Sequence, residues 1–97
     1  MATKIILYIG SDNKTKKISE EYKQKVEQIL AKYWQGFTLK KCEGYYKGEI
    51  EESLEAIIFV LKFVFKDLEN CIDDLKVSLV QESIGVEVVV NVRFKLK

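Results

Sequence analysis

A glycine-bounded segment in the middle of the chain groups aromatic, basic and hydrogen-bonding side chains. Residues 44–53 read Gly-Tyr-Tyr-Lys-Gly-Glu-Ile-Glu-Glu-Ser, and the glycines supply the backbone freedom that a turn needs. Tyrosine rings can stack a nucleobase, and a lysine beside them can neutralise a phosphate. We therefore predict a ligand-binding turn that uses Tyr45, Tyr46, Lys47, Glu52 and Ser53. The alternative is a packed β-turn whose polar side chains face water.

Two further polar segments could contribute to a binding site. The segment 10–17, Gly-Ser-Asp-Asn-Lys-Thr-Lys-Lys, lies between a predicted strand and a predicted helix and could receive an anion, with Lys14 as a cation. It lacks the Gly-Lys-Ser/Thr ending of a Walker loop. Gln81, Glu82 and Ser83 stand at a helix-to-strand junction, where they could line the mouth of a pocket. The alternatives are a solvated loop in the first case and a solvated helix C-cap in the second.

The residue types that are missing argue against catalysis. The chain has no histidine, which excludes His-ligated zinc and any Ser-His-Asp or Cys-His site. A carboxylate cluster within 49–55 follows the turn, and we interpret it as a solvated charge run rather than an acid–base pair. Cys42 and Cys71 have no histidine partner and are predicted to be structural. We predict no catalytic residue, no metal and no cofactor.

Length and composition predict one cytoplasmic domain. The 97 residues fit a single domain, 1–97. The 16 basic and 15 acidic residues leave a formal charge of +1, which argues against nucleic acid as a partner. The chain shows no secretory signal and no stretch of roughly 18 apolar residues without charges. We therefore predict reduced thiols, a cytoplasmic location and no membrane partner.

Apolar periodicity defines the elements that would position these residues. The predicted strands are 4–9, 37–44, 54–64 and 86–96, and the predicted helices run from Ser19 as N-cap to Tyr33 and from Asp67 to Leu79. Gly36 suits the position just past the first helix. The lysines in the second strand suit a sheet edge, and the third strand is apolar at both parities, as expected of a central strand.

The element order is βαββαβ, which predicts an α+β, ferredoxin-like fold. Right-handed crossovers would place strands one and three in the centre of a four-stranded antiparallel sheet, with both helices on one face. The other face would be open and substantially apolar. Contiguous apolar patches of several hundred Å² are uncommon on soluble monomers, so we predict that self-association or a ligand buries this face and that the protein is a homo-oligomer.

Short motifs along almost the whole chain resemble those of small uncharacterised ferredoxin-like proteins of bacteria and their phages. The motifs are Tyr8-Ile9-Gly10, Gly36-Phe37-Thr38, Gly44-Tyr45-Tyr46-Lys47-Gly48, Glu52-Ser53 and Gln81-Glu82-Ser83-Ile84. The signature is a Gly-aromatic turn, then Glu-Ser opening an apolar strand, then Gln-Glu before the last strand. Tyr46 stands where many of the group would carry Trp. The resemblance adds Tyr8 to the candidate site.

The resemblance implies a context rather than an activity, because the group has no settled biochemical role. Some phage proteins of comparable size bind host immune nucleotides without degrading them, and a polar set without a catalyst fits such a sponge by analogy. We expect a non-enzymatic, oligomeric small-molecule-binding protein in a bacterial host cell, a phage anti-defence sponge for a small anionic nucleotide-like ligand. The alternatives are a small dimeric ferredoxin-like enzyme with its pocket on the open sheet face and a protein-interaction module.

Overall fold

The structure is a computed structural model, and it describes residues 2–93 except the side chain of Tyr46. The elements are β1 (Ala2–Gly10), α1 (Glu20–Tyr33), β2 (Thr38–Tyr46), β3 (Glu49–Val60), α2 (Phe65–Leu79) and β4 (Gly85–Val92). This order confirms the predicted βαββαβ arrangement and the ferredoxin-like, α+β fold class. The part of the predicted last strand at 94–96 lies outside the described residues.

The four strands form one antiparallel sheet in the order β2-β3-β1-β4. β1 pairs with β3 on one side and with β4 on the other, which confirms that the first and third strands are central. Tyr8 lies opposite Glu55 on one neighbour and Gly85 on the other. The end of β1 is therefore next to the start of β4 and the first half of β3.

One set of alternate strand residues is buried together with side chains of both helices. Its fully buried members on the two central strands are Ile5, Leu7, Ile9, Leu54, Ala56 and Ile58. They form one core cluster with buried residues of α1 and α2, such as Leu30 and Leu75. Successive strand side chains point to opposite faces, so this face is the core side of the sheet.

The opposite face, which we call the second face, has an apolar centre and a polar rim. It carries Lys4, Ile6, Tyr8, Glu55, Ile57 and Phe59 on the two central strands. Ile57 and Phe59 are half-buried there, and Lys4 Nζ lies 5.9 Å from the centroid of the Phe59 ring. Burial of this face by self-association stays a prediction.

The ends of α1 agree with the prediction at one terminus and differ at the other. Ser19 caps the helix as predicted, because its Oγ accepts the N–H of Tyr22 at 3.1 Å. Gly36 does not have the positive φ that would end the helix there. Instead Trp34 is the C-cap in an extended conformation, and its indole is buried. Neither described helix is long and apolar enough to cross a membrane.

The hairpin between β2 and β3 is tighter than predicted. Only Lys47 and Gly48 form the turn, with φ values of 51° and 78° respectively. Positive φ at both central positions is typical of a type I′ turn, whose twist matches that of the paired strands. The other residues of the predicted turn therefore lie in β2 and β3.

The end of the apolar run after β3 was also predicted wrongly. β3 ends at Val60 rather than at position 64, because its pairing with β1 ends at Thr3–Val60. The next residue, Leu61, is 83% exposed. α2 begins at Phe65, two residues before the predicted start. A continuous apolar run does not show where the partner strand stops.

Candidate functional site

The β2–β3 hairpin projects past the end of β1. The last pair between β1 and β3 is Gly10–Ser53, and in the described sheet the residues before Ser53 in β3 pair with β2 alone. The segment 10–18, which begins at the last residue of β1 and leads to α1, lies beside this projecting part. The junction between α2 and β4, residues 80–84, contacts the same segment. We call these three segments together the loop end of the sheet.

Glu52 joins the hairpin to the loop. Its Oε2 accepts the backbone N–H of Ile18 at 2.6 Å and lies 3.4 Å from Lys41 Nζ. The Ile18 hydrogen bond is the main reason that the pKa of Glu52 is lowered, and Lys41 lowers it further. A second link joins Lys16 Nζ to Glu49 Oε2 at 3.5 Å, near the hairpin turn. The hairpin therefore holds the loop through two carboxylates.

Gln81 and Tyr22 hold the start of the same loop. Gln81 Nε2 donates to the carbonyl of Ser11 at 2.8 Å and lies 3.4 Å from the Tyr22 hydroxyl. The Tyr22 hydroxyl donates to the carbonyl of Gly10 at 2.7 Å. Burial raises the pKa of Tyr22, the charge of Asp12 adds to this, and the Gln81 hydrogen bond lowers it. A Cβ at Gly10 would lie 2.8 Å from Gln81 Oε1, so the glycine permits this close approach.

The loop also folds on itself and presents its lysines outward. The side chain of Asp12 accepts the N–H of Lys14 at 2.8 Å, and its carbonyl accepts the N–H of Lys16 at 2.7 Å. Lys16 has a φ of 56°, in the left-handed region. Asn13 Nδ2 donates to the carbonyl of Val80 at 2.6 Å, which adds a contact to the end of α2. Lys14, Lys16 and Lys17 are all exposed.

Several of the sequence-predicted site residues meet at the loop end, although not all in the predicted role. Glu52 and Gln81 bind the loop backbone there, and Lys14 lies on the loop. Lys47 is exposed at the hairpin turn, and Glu82 and Ser83 are exposed in the junction. Tyr45 is 76% exposed, and it shares a hairpin face with Glu52 because it lies opposite Ile50. The side chain of Tyr46 lies outside the described residues.

Tyr8 and Ser53 belong to the second face instead. The Tyr8 hydroxyl donates to Glu87 Oε1 at 3.0 Å, and this hydrogen bond is the main reason that the pKa of Tyr8 is raised. The Tyr8 ring also packs on Gly85, where a Cβ would lie 3.1 Å from Tyr8 Cβ. Ser53 has the same parity as Glu55 on β3 and lies opposite Gly10 and Cys42. The predicted set is therefore divided between two sides of the sheet.

Tyr22 belongs to this region although the sequence did not predict it, and Asp12 lies in the predicted segment 10–17 without an assigned role. Tyr22 has the spacing of the apolar stripe of α1, and it is buried as that spacing predicts. The available signal was its hydroxyl, because a buried tyrosine usually has a hydrogen-bond partner. Asp12 begins a short polar run, where a side chain that accepts the N–H two residues on is common. Neither signal identifies which distant residue is the hydrogen-bond partner or which segment lies nearby.

A cleft of about 770 Å³ lies at the other end of the sheet. Aromatic and apolar residues dominate its lining, including Tyr33, Trp34, Phe37, Ile57, Phe59 and Leu61. None of the sequence-predicted site residues whose side chains the structure describes lines it. We call the segments 33–38 and 57–62 the cleft end of the sheet. This cleft and the polar cluster at the loop end are therefore separate features of the molecule.

The comparisons with known proteins support the fold class. No protein-family model matches the chain, and no curated protein sequence matches it. The chain is similar to the crystal structure of a DUF3240 family protein from Shewanella baltica OS155, with a TM-score of 0.66 and 11% identity over 98% of this chain and 97% of that one. It is also similar to the de novo designed protein Foldit4, with a TM-score of 0.57 and 10% identity over 94% and 99% of the two chains. At such identities the likeness shows the fold alone.

Proposed function

We propose that the protein is a non-enzymatic, oligomeric binding protein that holds a small anionic, nucleotide-like ligand at the loop end. The observation that carries the proposal is the hydrogen bond between Glu52 and Ile18, which fixes a lysine-bearing loop beside the hairpin face that presents Tyr45. The biological role that we propose, a phage anti-defence sponge in a bacterial host cell, draws its support from the sequence motifs alone.

The loop end combines the two kinds of group that nucleotide binding needs. The exposed ring of Tyr45 offers a face on which a base can stack. Lys14 and Lys17 offer positive charge for phosphate on the adjacent loop. Glu52 and Gln81 act as positioning residues in this proposal, because their polar atoms already bind the backbone at Ile18 and Ser11.

The electrostatics of the loop end favour binding over acid–base catalysis. A carboxylic acid that donates a proton near neutral pH needs a raised pKa. The pKa of Glu52 is lowered instead, because it accepts the Ile18 N–H and lies near Lys41. Glu52 therefore stays charged at neutral pH and serves as a fixed acceptor. The chain also contains no histidine to take the role of a base.

Thermal-shift and calorimetric titration with cyclic nucleotides and ADP-ribose-type nucleotides test the proposal. A ligand at 100 times its Kd stabilises the folded state by about 2.7 kcal/mol, which is about 10–20 °C in Tm for a domain of this size. Tyr45→Ala should weaken binding about fivefold or more, since stacking contributes about 1–3 kcal/mol per base. The double variant Lys14→Ala/Lys17→Ala should weaken binding and reduce its salt dependence.

Lys25→Ala, which removes an exposed lysine from α1, is the matched control and should leave binding unchanged. The bound nucleotide should be recovered chemically intact after long incubation. The proposal fails if none of these nucleotides raises Tm, or if Tyr45→Ala leaves the affinity of a nucleotide that does bind unchanged. Recovery of a cleaved product would favour the enzyme alternative.

A further inference from the structure

The two edges of the sheet differ in how well they are protected. β2 carries Lys40, Lys41 and Glu43, and charged side chains on an edge strand oppose pairing with another chain. β4 reads Gly-Val-Glu-Val-Val-Val-Asn-Val, and among the described residues it pairs with β1 alone. Its outer row of backbone N–H and C=O groups therefore faces away from the sheet beside a run of valines.

The core-side residues of β4 are much more exposed than the core-side residues of β1 that lie opposite them. Val86 lies opposite Leu7 and Val88 lies opposite Ile5. Leu7 and Ile5 are fully buried, whereas Val86 is 41% and Val88 is 39% exposed. Val90 follows at the same parity and is 62% exposed. The core therefore stops at β1, and a stripe of three valines continues past it.

The occupant of this edge must meet three requirements. It must be a strand, because only a strand can pair with a row of edge N–H and C=O groups. It must present apolar side chains on the core side, opposite the valine stripe. It must also avoid placing a negative charge opposite Glu87. A second copy of β4 meets all three, whereas the charged edge at β2 does not meet the second.

We infer that β4 pairs antiparallel with β4 of a second copy, around a two-fold axis at Val88, to give a continuous eight-stranded sheet. In this register Val86 lies opposite Val90 of the partner subunit, and Val88 lies opposite itself. Directly opposite residues share a face, so three valines from each copy close one stripe on the core side. The interface deepens the oligomeric part of the proposed function and rests on it, but it needs no ligand.

Moving the two-fold axis by one residue along β4 would still keep the core-side residues of both copies together. Both of these registers are disfavoured. Moving the axis to Glu87 would place two glutamates directly opposite each other, and like charges in that position are destabilising. Moving the axis to Val89 would require Asn91 to pair with Glu87 of the partner subunit. Asn91 has a φ of 59° and lies in an irregular part of β4, between the Ala2–Val92 and Lys4–Val89 pairs. The axis at Val88 centres the pairing on the regular segment 85–89 and uses only Val90 from the irregular part.

Sedimentation equilibrium of the full chain without nucleotide tests the interface. The wild-type protein should have twice the mass of one chain, and Val88→Lys should reduce it to one chain because two lysines would meet at the axis. Val77→Lys makes the same change on an exposed position of α2 and should leave the mass doubled. Circular dichroism of each variant verifies that it is folded. A wild-type monomer at 100 μM overturns the inference, as does a dimer that Val88→Lys leaves intact.

Oxidative cross-linking tests the register on a Cys42→Ser background. Val88→Cys should form an intermolecular disulfide, because the two substituted positions would face each other across the axis. Val86→Cys alone should not, whereas Val86→Cys combined with Val90→Cys should. Efficient cross-linking by Val86→Cys alone overturns the register. Because no nucleotide is present in these experiments, a protein that does not dimerise can be distinguished from a protein that does not bind nucleotide.

Discussion

At the loop end the backbone of residues 10–18 is held by hydrogen bonds from Glu52, Tyr22 and Gln81, whereas the cleft end is organised around the buried indole of Trp34. The Nε1–H of that indole lies 3.4 Å from Cys71 Sγ, so its polar atom also meets a buried partner. One end is thus fixed by polar contacts to the main chain and the other by packing.

The difference shows that a cluster of polar residues need not be a binding surface. Glu52 and Gln81 look like ligand-binding residues in the sequence, yet in the structure they bind the backbone of the protein itself. Exposed Tyr45 and Lys14 are among the residues that this arrangement presents to solvent. The comparison therefore separates residues that shape the loop end from residues that can contact a ligand there.

The largest effect should come from the cleft end. Trp34→Ala should lower the free energy of unfolding by about 3–5 kcal/mol, because it removes a buried indole and leaves a cavity. This is a large part of the roughly 5–15 kcal/mol that stabilises a domain. Urea unfolding followed by circular dichroism measures the change.

Tyr45→Ala is the matched aromatic control at the loop end. Its ring is 76% exposed, so its removal should change the free energy of unfolding by no more than about 0.5 kcal/mol. An equal decrease in the free energy of unfolding for Trp34→Ala and Tyr45→Ala would contradict the contrast between the two ends.

A smaller effect should follow from changes in the hydrogen bonds at the loop end. Gln81→Leu removes the donor to the Ser11 carbonyl and should cost about 1–2 kcal/mol, and Tyr22→Phe removes the donor to the Gly10 carbonyl and should cost about 1 kcal/mol. The two side chains also contact each other, so the double variant should deviate from additivity by about 0.5 kcal/mol or more.

Gln28→Leu on the exposed face of α1 is the control for the glutamine change and should stay within about 0.5 kcal/mol of wild type. Chemical denaturation of wild type, Gln81→Leu, Tyr22→Phe and the double variant completes the double-mutant cycle. Strict additivity of Gln81→Leu and Tyr22→Phe would show that the two residues do not act as one network.

The fold could be predicted from the sequence because local signals and tertiary structure agree along most of the chain. The apolar stripe of α1 starts after a capping serine, Ser19, and that cap is present in the structure. The lysines of β2 indicated an edge strand, and β2 is at the edge. The predicted end of β3 was wrong since the residues that stop its ladder belong to β1, far away in the sequence.

The candidate site was harder to predict because its contacts join distant segments. Gln81 and Ser11 are 70 positions apart, and Glu52 and Ile18 are 34 positions apart. Residue type alone shows that Gln81 and Glu52 can form hydrogen bonds, but the partner depends on where the two chain segments meet. The sequence could therefore predict which residues are polar at this end and not which of them are already engaged.

The smallest effect should be a pH dependence that belongs to Glu52. Its folded-state pKa lies below its ordinary value, first because of the Ile18 N–H. A lowered pKa contributes stability that is fully present above the unfolded-state pKa and is lost as the pH falls through the folded-state pKa. Glu52→Gln keeps an acceptor of the same shape without the charge, so it should be less stable than wild type at pH 7 and should approach wild type in acid.

Urea midpoints measured from pH 7 to pH 3 for wild type and Glu52→Gln give this difference directly. Glu51→Gln makes the same change on the opposite face of the same strand and is the matched control. The difference between wild type and Glu52→Gln should shrink once the pH passes below the ordinary pKa of a glutamate, about 4.3. No difference at pH 7, or a difference that stays constant down to pH 3, would mean that the Glu52–Ile18 hydrogen bond does not depend on the charge of Glu52. The charge would then have no part in fixing the lysine-bearing loop beside Tyr45.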